Sequence, residues 1–160
     1  MRKVAFAFLL IASLLLFQIG VFATPDTIAP DTVGNSNSLV VVTKPQNQKD
    51  STFNASYIIS GYGKEGTVVT LYNYSANDGV YKKMFNNTQY VDASGAIQDT
   101  QTAAEVKIGA SGLFINTITL NQGANDILVR AENADRVQLM KLSLTKYSYN
   151  LFDIIKSLTD

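Results

Sequence analysis

Histidine, cysteine and tryptophan are all absent from this chain of 160 residues. Without histidine there is no imidazole general base, no Ser-His-Asp triad and no histidine-ligated metal. Without cysteine there is no disulfide and no thiolate metal site, so a domain of this size must be held together by its core alone. These absences favour a bacterial exoprotein that is not an enzyme, and we expect no cofactor and no bound metal.

A strong charge of either sign is also missing. The chain has 13 basic and 13 acidic side chains, so its formal net charge is zero. Removal of a leader containing Arg2 and Lys3 would leave 11 basic against 13 acidic side chains, a net charge of −2. Binding to nucleic-acid phosphates requires clustered lysine and arginine, so we expect no nucleic-acid partner.

The first 23 residues have the layout of a secretory signal peptide. Residues 1–3 are basic, residues 4–17 are apolar apart from one serine, and Ala23 is a small residue at the expected cut. The alternative is an uncleaved anchor, since the apolar run approaches the roughly 20 residues that a bilayer span requires. Gln18 and Gly20 interrupt the run where a cleavage region would begin, which favours cleavage. Both interpretations predict a secreted or cell-surface protein, whose only membrane contact is this segment if it is uncleaved.

The rest of the chain changes character at Leu39. Residues 24–38 predict a flexible linker, because proline, threonine, asparagine and serine leave too few apolar side chains for a core. Residues 39–147 contain six or seven short runs of branched and aromatic residues, separated by glycine and asparagine turns and with no helix between them. This pattern predicts an all-β fold, specifically an antiparallel β-sandwich.

Two of these runs break their own alternation of apolar and polar residues. Asn116 lies on the apolar side of the strand that contains Phe114 and Ile118, where we expect it to cap an edge carbonyl or to mark a bulge. In "VQLMKLSLTKY", Val137 and Leu139 have the opposite parity from the apolar residues that follow them. The pattern therefore predicts a bulge or register change near residue 140.

Two further segments do not follow the strand pattern. Residues 76–102 are irregular, and we interpret them as an insertion at one edge or end of the sheet, with a short hairpin around Asn86-Asn87. Residues 148–160 predict a short amphipathic helix, because apolar side chains recur at i, i+3, i+4 and i+7. Its apolar stripe consists of Leu151, Ile154, Ile155 and Leu158. Since so short a helix is marginal alone, the stripe packs either on the open end of the sandwich or against a partner or second copy.

Three stretches carry a family resemblance: "VVVTKP", "YIISGYGKEGTVVTLY" and "VKIGASGLFINTITLNQGANDILVRA". The matching positions are Pro45, Ile59-Ser60-Gly61, Gly66-Thr67-Val68-Val69, Gly112, Phe114, Ile118, Leu120, Gly123, Asn125 and Ile127. Together they resemble the bacterial immunoglobulin-like (Ig-like) modules of secreted and cell-surface proteins, over roughly residues 39–147. The resemblance implies a sandwich of about seven strands and a role in spacing, presentation or adhesion rather than in catalysis. Residues 76–102 and the C-terminal tail depart from the family pattern.

Tyrosines are the candidate ligand-binding residues. Exposed rings on a sheet could stack against sugars, and the first candidates for such a face are Tyr72, Tyr74 and Tyr81. The alternative is that these tyrosines fill half-buried strand surface, where the residue is common. The absence of tryptophan, a frequent sugar platform, favours that alternative.

The sequence thus predicts a non-catalytic extracellular structural or interaction module of the bacterial cell envelope. Its expected partner is a cell-wall or surface protein or a polysaccharide. Two alternatives stay open: a carbohydrate-binding module that uses exposed tyrosines, and a self-associating surface module. Scattered aspartates in turns match no calcium-binding loop, and no pair of acids is spaced to suggest a hydrolytic cleft.

Overall fold

The computed structural model describes residues 24–91 and 93–148, and each regular element within these ranges is a β-strand. In chain order the strands are β1 (Thr27–Ile28), β2 (Val40–Lys44), β3 (Lys49–Thr52), β4 (Ser56–Gly63), β5 (Val68–Ser75), β6 (Val80–Lys83), β7 (Phe85–Val91), β8 (Ile97–Ala103), β9 (Glu105–Lys107), β10 (Leu113–Thr119), β11 (Gly123–Asn133) and β12 (Arg136–Lys146). The predicted all-β class is confirmed. The predicted signal segment 1–23 and the stripe of Leu151, Ile154, Ile155 and Leu158 lie outside the described residues. Over the described ranges, no helix is long and apolar enough to cross a membrane.

The described strands form three sheets. The large sheet has the order β1-β6-β5-β11-β12-β3, with β9 pairing to β5 as its seventh strand. The small sheet has the order β10-β4-β2, and β7 and β8 form a separate ribbon. Neighbouring strands are antiparallel except β12 and β3, which are parallel.

One hydrophobic core draws side chains from both the large and the small sheet. Phe114 and Ile118 of β10 and Ile59 of β4 pack in the same cluster as Ile127 and Val129 of β11. These residues lie at alternate positions of their strands, as period-2 side-chain geometry requires. The predicted apolar side of the strand that contains Phe114 and Ile118 is therefore confirmed as its inward face.

Close approach of the small-sheet strands explains one glycine of the "ISG" motif. A Cβ atom on Gly61 would lie 2.1 Å from the Val41 carbonyl oxygen and 2.8 Å from the Phe114 ring. Only a residue without a side chain fits this position, where β4 passes between a neighbouring strand and the core.

Residues 24–38, which we call the strap, are not a free linker. β1 pairs with β6, and Ile28 is buried in a second hydrophobic cluster with Tyr72, Tyr81 and Leu128. The prediction that nothing in this segment contributes to a core is wrong for Ile28. The reason is that the outer face of the large sheet carries apolar side chains, and the strap covers them.

The same cover explains why no bulge occurs near residue 140. β11 and β12 pair without interruption from Gly123↔Lys146 to Asn133↔Arg136, so the predicted register change is wrong. Val137 and Leu139 simply occupy the outer face of β12, where both line a cleft formed with the strap. Val137 and Leu139 alternate with the inward residues of β12, so this strand has apolar side chains on both of its faces.

The predicted loops also contain strands. Residues 49–52 have the polar sequence "KDST", without apolar alternation, and form β3 at the edge of the large sheet. The hairpin predicted around Asn86-Asn87 is wrong, because β6 pairs with β5, whereas β7 pairs with β8. Five of the seven residues of β8 are exposed and none is buried, so no apolar alternation marks this strand.

The β7–β8 ribbon leaves the large sheet between β6 and β9, which both pair with β5. Met84 donates its backbone N–H to Leu71, Leu71 donates to Ala104, and Ala104 donates to Met84, with N···O distances of 2.9, 3.0 and 2.8 Å. The ribbon is therefore an excursion between Met84 and Ala104, and it starts later than the irregularity at residue 76 indicates.

Candidate interaction face

The three tyrosines predicted to form a sugar platform lie together but not on an open surface. Tyr72 is 0% exposed and Tyr81 is 6% exposed, and the Tyr74 ring lies 5.3 Å from the Tyr81 ring, between centroids. The expectation of exposed rings is wrong for Tyr72 and Tyr81, because the strap covers this part of the large sheet. The Tyr72 and Tyr81 rings therefore match the alternative given above, in which tyrosines fill the surface of a strand.

The Tyr72 hydroxyl ties the strap to the large sheet. It donates a hydrogen bond of 2.8 Å to the backbone carbonyl of Pro25. Burial raises the pKa of Tyr72 to about 12, and among the smaller effects Arg130 lowers it while Glu105, Glu132 and Asp26 raise it. The hydroxyl therefore stays protonated at neutral pH and acts as a structural donor.

A shallow cleft of about 370 Å³ opens between the strap and the large sheet. Its walls include Ile28, Val33 and Leu139, and Arg130 forms part of its floor. Arg130 is largely buried and makes an ion pair with Glu132, the residue two positions along β11. The charge at the floor is thus balanced from within the same strand.

The outer face of the small sheet has no such cover among the described residues. Leu113, Tyr62 and Val41 occupy directly paired positions on β10, β4 and β2, so their side chains form one row across the sheet. Ile115 and Ile58 lie on the same side of the sheet, one and two rows further along. These five residues, which we call the apolar face, are between 44% and 62% exposed.

The apolar face is uncharged. The outward positions of β4 and β10, together with Val41 of β2, are Val41, Ser56, Ile58, Ser60, Tyr62, Leu113, Ile115, Thr117 and Thr119. They are five apolar and four hydroxyl-bearing side chains, and none is Asp, Glu, Lys or Arg. The charged residue that pairs with this row of positions is Lys44, which lies opposite Ser60 beyond the register shift of β2 and places its ammonium 5.4 Å from the centroid of the Tyr57 ring. Seven residues of rise and two strand spacings give a surface of roughly 20 by 10 Å. A face of roughly 200 Å² is within the size of the largest apolar patch on an ordinary monomer, and such patches are often functional.

The apolar face was not predicted from the sequence, although a local signal of it is present. In "LFINTIT" and "SYIISGYG", apolar residues occupy consecutive positions: Leu113 beside Phe114 and Ile115, and Tyr57 beside Ile58 and Ile59. A strand with one solvated face alternates strictly, so these short unbroken runs indicate apolar side chains on both faces. Whether the outer face is covered depends on contacts distant in sequence.

The inner face of β10 contains a buried polar residue, whereas its outer face exposes apolar ones. Asn116 is buried, and its Nδ2 atom has no hydrogen-bond partner among the described residues. β10 pairs with β4 without a register shift, and Asn116 caps no edge carbonyl, so both predictions for this residue are wrong. The small sheet thus carries an unsatisfied amide inside and apolar side chains outside.

Within the part of the chain that the structure describes, no group of three or more histidine, cysteine, aspartate or glutamate residues could hold a metal ion. Comparison of the chain with protein-family models, with curated proteins and with solved structures gives no match. The features that bear on function are therefore those of the chain itself, and the apolar face is the principal one.

Proposed function

We propose that this chain is a non-catalytic, extracytoplasmic interaction module of the bacterial cell envelope, built as an Ig-like β-sandwich. The signal-peptide pattern of residues 1–23 supports export, and the lack of cysteine favours a bacterial over an animal secreted module. The shared core of the two larger sheets supports a sandwich, and the motifs of residues 39–147 support the Ig-like family.

The single observation that carries the proposal is the apolar face. Leu113, Ile115, Ile58, Tyr62 and Val41 expose apolar surface on one side of a small sheet, and the charged neighbour in register is Lys44, opposite Ser60. Exposed apolar surface is stabilised by removal from water, at roughly 25 cal/mol per Å². A partner that covers this face therefore gains affinity from it.

The dimensions of the face restrict the kind of partner. A standard protein interface buries about 800 Å² on each side, with an apolar centre and a polar rim. A face of roughly 20 by 10 Å is large enough for the apolar centre of such an interface but not for the whole interface. We propose that the partner is an envelope protein with a flat, uncharged apolar patch, and that the surrounding hydroxyl and amide side chains form the rim.

Binding of the purified chain 24–160 to isolated cell envelopes of the producing bacterium tests this function. Ile115→Ser removes an apolar side chain from the face, and Ile97→Ser is its matched control on the β7–β8 ribbon. The two isoleucines are 62% and 70% exposed, so neither change should unfold the domain. We expect binding to weaken at least tenfold in Ile115→Ser and to stay unchanged in Ile97→Ser.

Two further measurements distinguish this proposal from a carbohydrate-binding module and from a self-associating module. Protease treatment of the envelopes should abolish binding, whereas binding that survives on polysaccharide sacculi would support the carbohydrate alternative. Sedimentation velocity of the chain alone should give a monomer, and a dimer that Ile115→Ser dissociates would support self-association. Equal binding by both serine variants would exclude the apolar face from the function.

A further inference from the structure

The first residues of the strap are held by several hydrogen bonds. The Lys83 ammonium donates to the Thr24 carbonyl at 2.6 Å, and the Tyr72 hydroxyl donates to the Pro25 carbonyl at 2.8 Å. The Lys83 backbone N–H donates to the Asp26 carbonyl at 2.8 Å, and the two side chains form an ion pair at 3.2 Å. The backbone at residue 24 therefore has a fixed position on the large sheet.

A carboxylate without a cation lies at this position. Glu105 of β9 accepts hydrogen bonds from the hydroxyls of Thr24 and Thr70, both at 3.1 Å and both through Oε2. Among the described residues, the ion pairs within 4.0 Å are Lys82–Asp78, Lys83–Asp26 and Arg130–Glu132, and none includes Glu105. Two neutral donors thus orient this carboxylate, but its charge has no direct partner.

The wider neighbourhood lacks one positive charge. Around the Tyr72 hydroxyl lie the carboxylates of Glu105, Glu132 and Asp26, together with the Arg130 guanidinium. Lys83 adds a second cation through its ion pair with Asp26. Three negative and two positive side chains leave a net charge of −1.

We propose that cleavage between Ala23 and Thr24 supplies this missing charge, because the new α-ammonium of Thr24 pairs with the Glu105 carboxylate. Hydrolysis of the peptide bond leaves a carboxylate on Ala23 and a protonated amine on Thr24. The Thr24 nitrogen and Oγ1 are roughly 3–4 Å apart by ordinary bond lengths, and Oγ1 already contacts Glu105. Before cleavage the same nitrogen is a neutral amide, so processing itself adds the interaction.

This pairing makes leader removal a maturation step of the fold. The α-ammonium fastens the first residue of the strap, and the strap covers Tyr72 and Leu128. The inference rests on the expected export of the chain and not on the apolar face, so the two proposals can fail separately.

The test compares chains that begin at Thr24 with chains that begin at Ala23, each with Glu105 or with Glu105→Gln. Both starting points are made by cleaving a removable fusion. The added Ala23 moves the ammonium one residue away from the carboxylate. NMR titration of the α-amine and urea unfolding are measured for all four proteins.

In the chain beginning at Thr24 we expect a pKa of the α-amine above its ordinary value, and a higher urea midpoint than in the chain beginning at Ala23. The carboxylates of Glu105, Asp26 and Glu132 raise the pKa of the α-amine, while the cations of Lys83 and Arg130 lower it. Because the folded-state pKa is raised, the added stability is present below the unfolded-state pKa and is lost as pH rises through the folded-state pKa. Glu105→Gln should remove both differences, whereas Glu65→Gln, at an exposed carboxylate elsewhere, should preserve them.

Mass spectrometry of the exported protein provides an independent readout. A mature chain that begins at Thr24 supports the proposal, and any other first residue overturns it. The proposal also fails if Glu105→Gln leaves the α-amine pKa and the difference in urea midpoint unchanged.

Discussion

The two outer faces of this molecule carry similar side chains and have different surroundings. On the large sheet, Tyr72 and Leu128 point away from the core and are buried by the strap. On the small sheet, Tyr62 and Leu113 also point away from the core and are 51% and 60% exposed. A tyrosine and a leucine occur on each face, so the presence of these two residue types does not decide which face is covered.

The difference teaches that outward apolar residues serve two purposes in one chain. Where the chain supplies its own cover, they extend the core and stabilise the fold. Where the described chain supplies no cover, they are available to another molecule. Substitutions at equivalent positions on the two faces should therefore separate stability from binding.

The largest expected difference is between Leu128→Ala and Leu113→Ala. Leu128 is 2% exposed, and replacing a buried leucine by alanine costs about 2–5 kcal/mol of unfolding free energy, since contacts are lost and a cavity remains. Leu113→Ala should change this free energy by less than about 0.5 kcal/mol. Urea unfolding of the two variants measures both values, and equal losses would show that the two faces do not differ as described.

A smaller effect is expected at the tyrosine hydroxyls. Tyr72→Phe leaves the Pro25 carbonyl without its donor and should cost about 1 kcal/mol. Tyr62→Phe, on the exposed apolar face, should leave the unfolding free energy unchanged. A thermal or urea denaturation series on both variants makes the comparison, and a neutral Tyr72→Phe would mean that this hydrogen bond does not hold the strap.

Asn116→Leu tests the small sheet from its inner side. The substitution removes a buried amide nitrogen without a partner and keeps a side chain of similar size, so the unfolding free energy should rise by about 1 kcal/mol. Asn125→Leu is the matched control, because the Asn125 side chain donates to the backbone carbonyls of Asn121 and Gly123. That variant should be less stable than the unmodified chain, and a loss of stability in both variants would contradict this interpretation of Asn116.

A further effect is confined to alkaline pH. Burial raises the pKa of Tyr72 to about 12 in the folded protein, while an unfolded tyrosine titrates near 10. The contribution of Tyr72 to stability is therefore complete below pH of about 10 and is lost as pH rises towards 12. Tyr72→Phe should flatten this part of the stability profile, and Tyr62→Phe should not. Identical profiles in both variants would contradict the assignment to Tyr72.

Local pattern predicted much of the fold, because strand periodicity and turn residues are local properties. The spans of β4, β5, β10 and β11 and the turns at Gly66, Gly112 and Gly123 follow from them, and each of these glycines has a positive φ. β3 and β8 were missed because their exposed polar side chains carry no apolar alternation.

The candidate site was less predictable, because the burial of an outward side chain depends on residues that are distant in the sequence. Tyr72 is buried by residues more than 40 positions earlier in the chain, such as Pro25, whose carbonyl lies 47 positions away. Nothing in the strand around Tyr72 distinguishes it from the strand around Tyr62. The Ig-like family, the export and the helical stripe at Leu151–Leu158 stay predictions.

The most direct test of the central claim is site-specific photo-crosslinking on isolated cell envelopes. A photoreactive amino acid replaces Ile115 on the apolar face in one protein and Ile97 on the ribbon in another. We predict a discrete adduct with an envelope protein from position 115 and no such adduct from position 97. An adduct from position 97 alone, or the same adducts from both positions, would contradict the assignment of the apolar face as the docking surface.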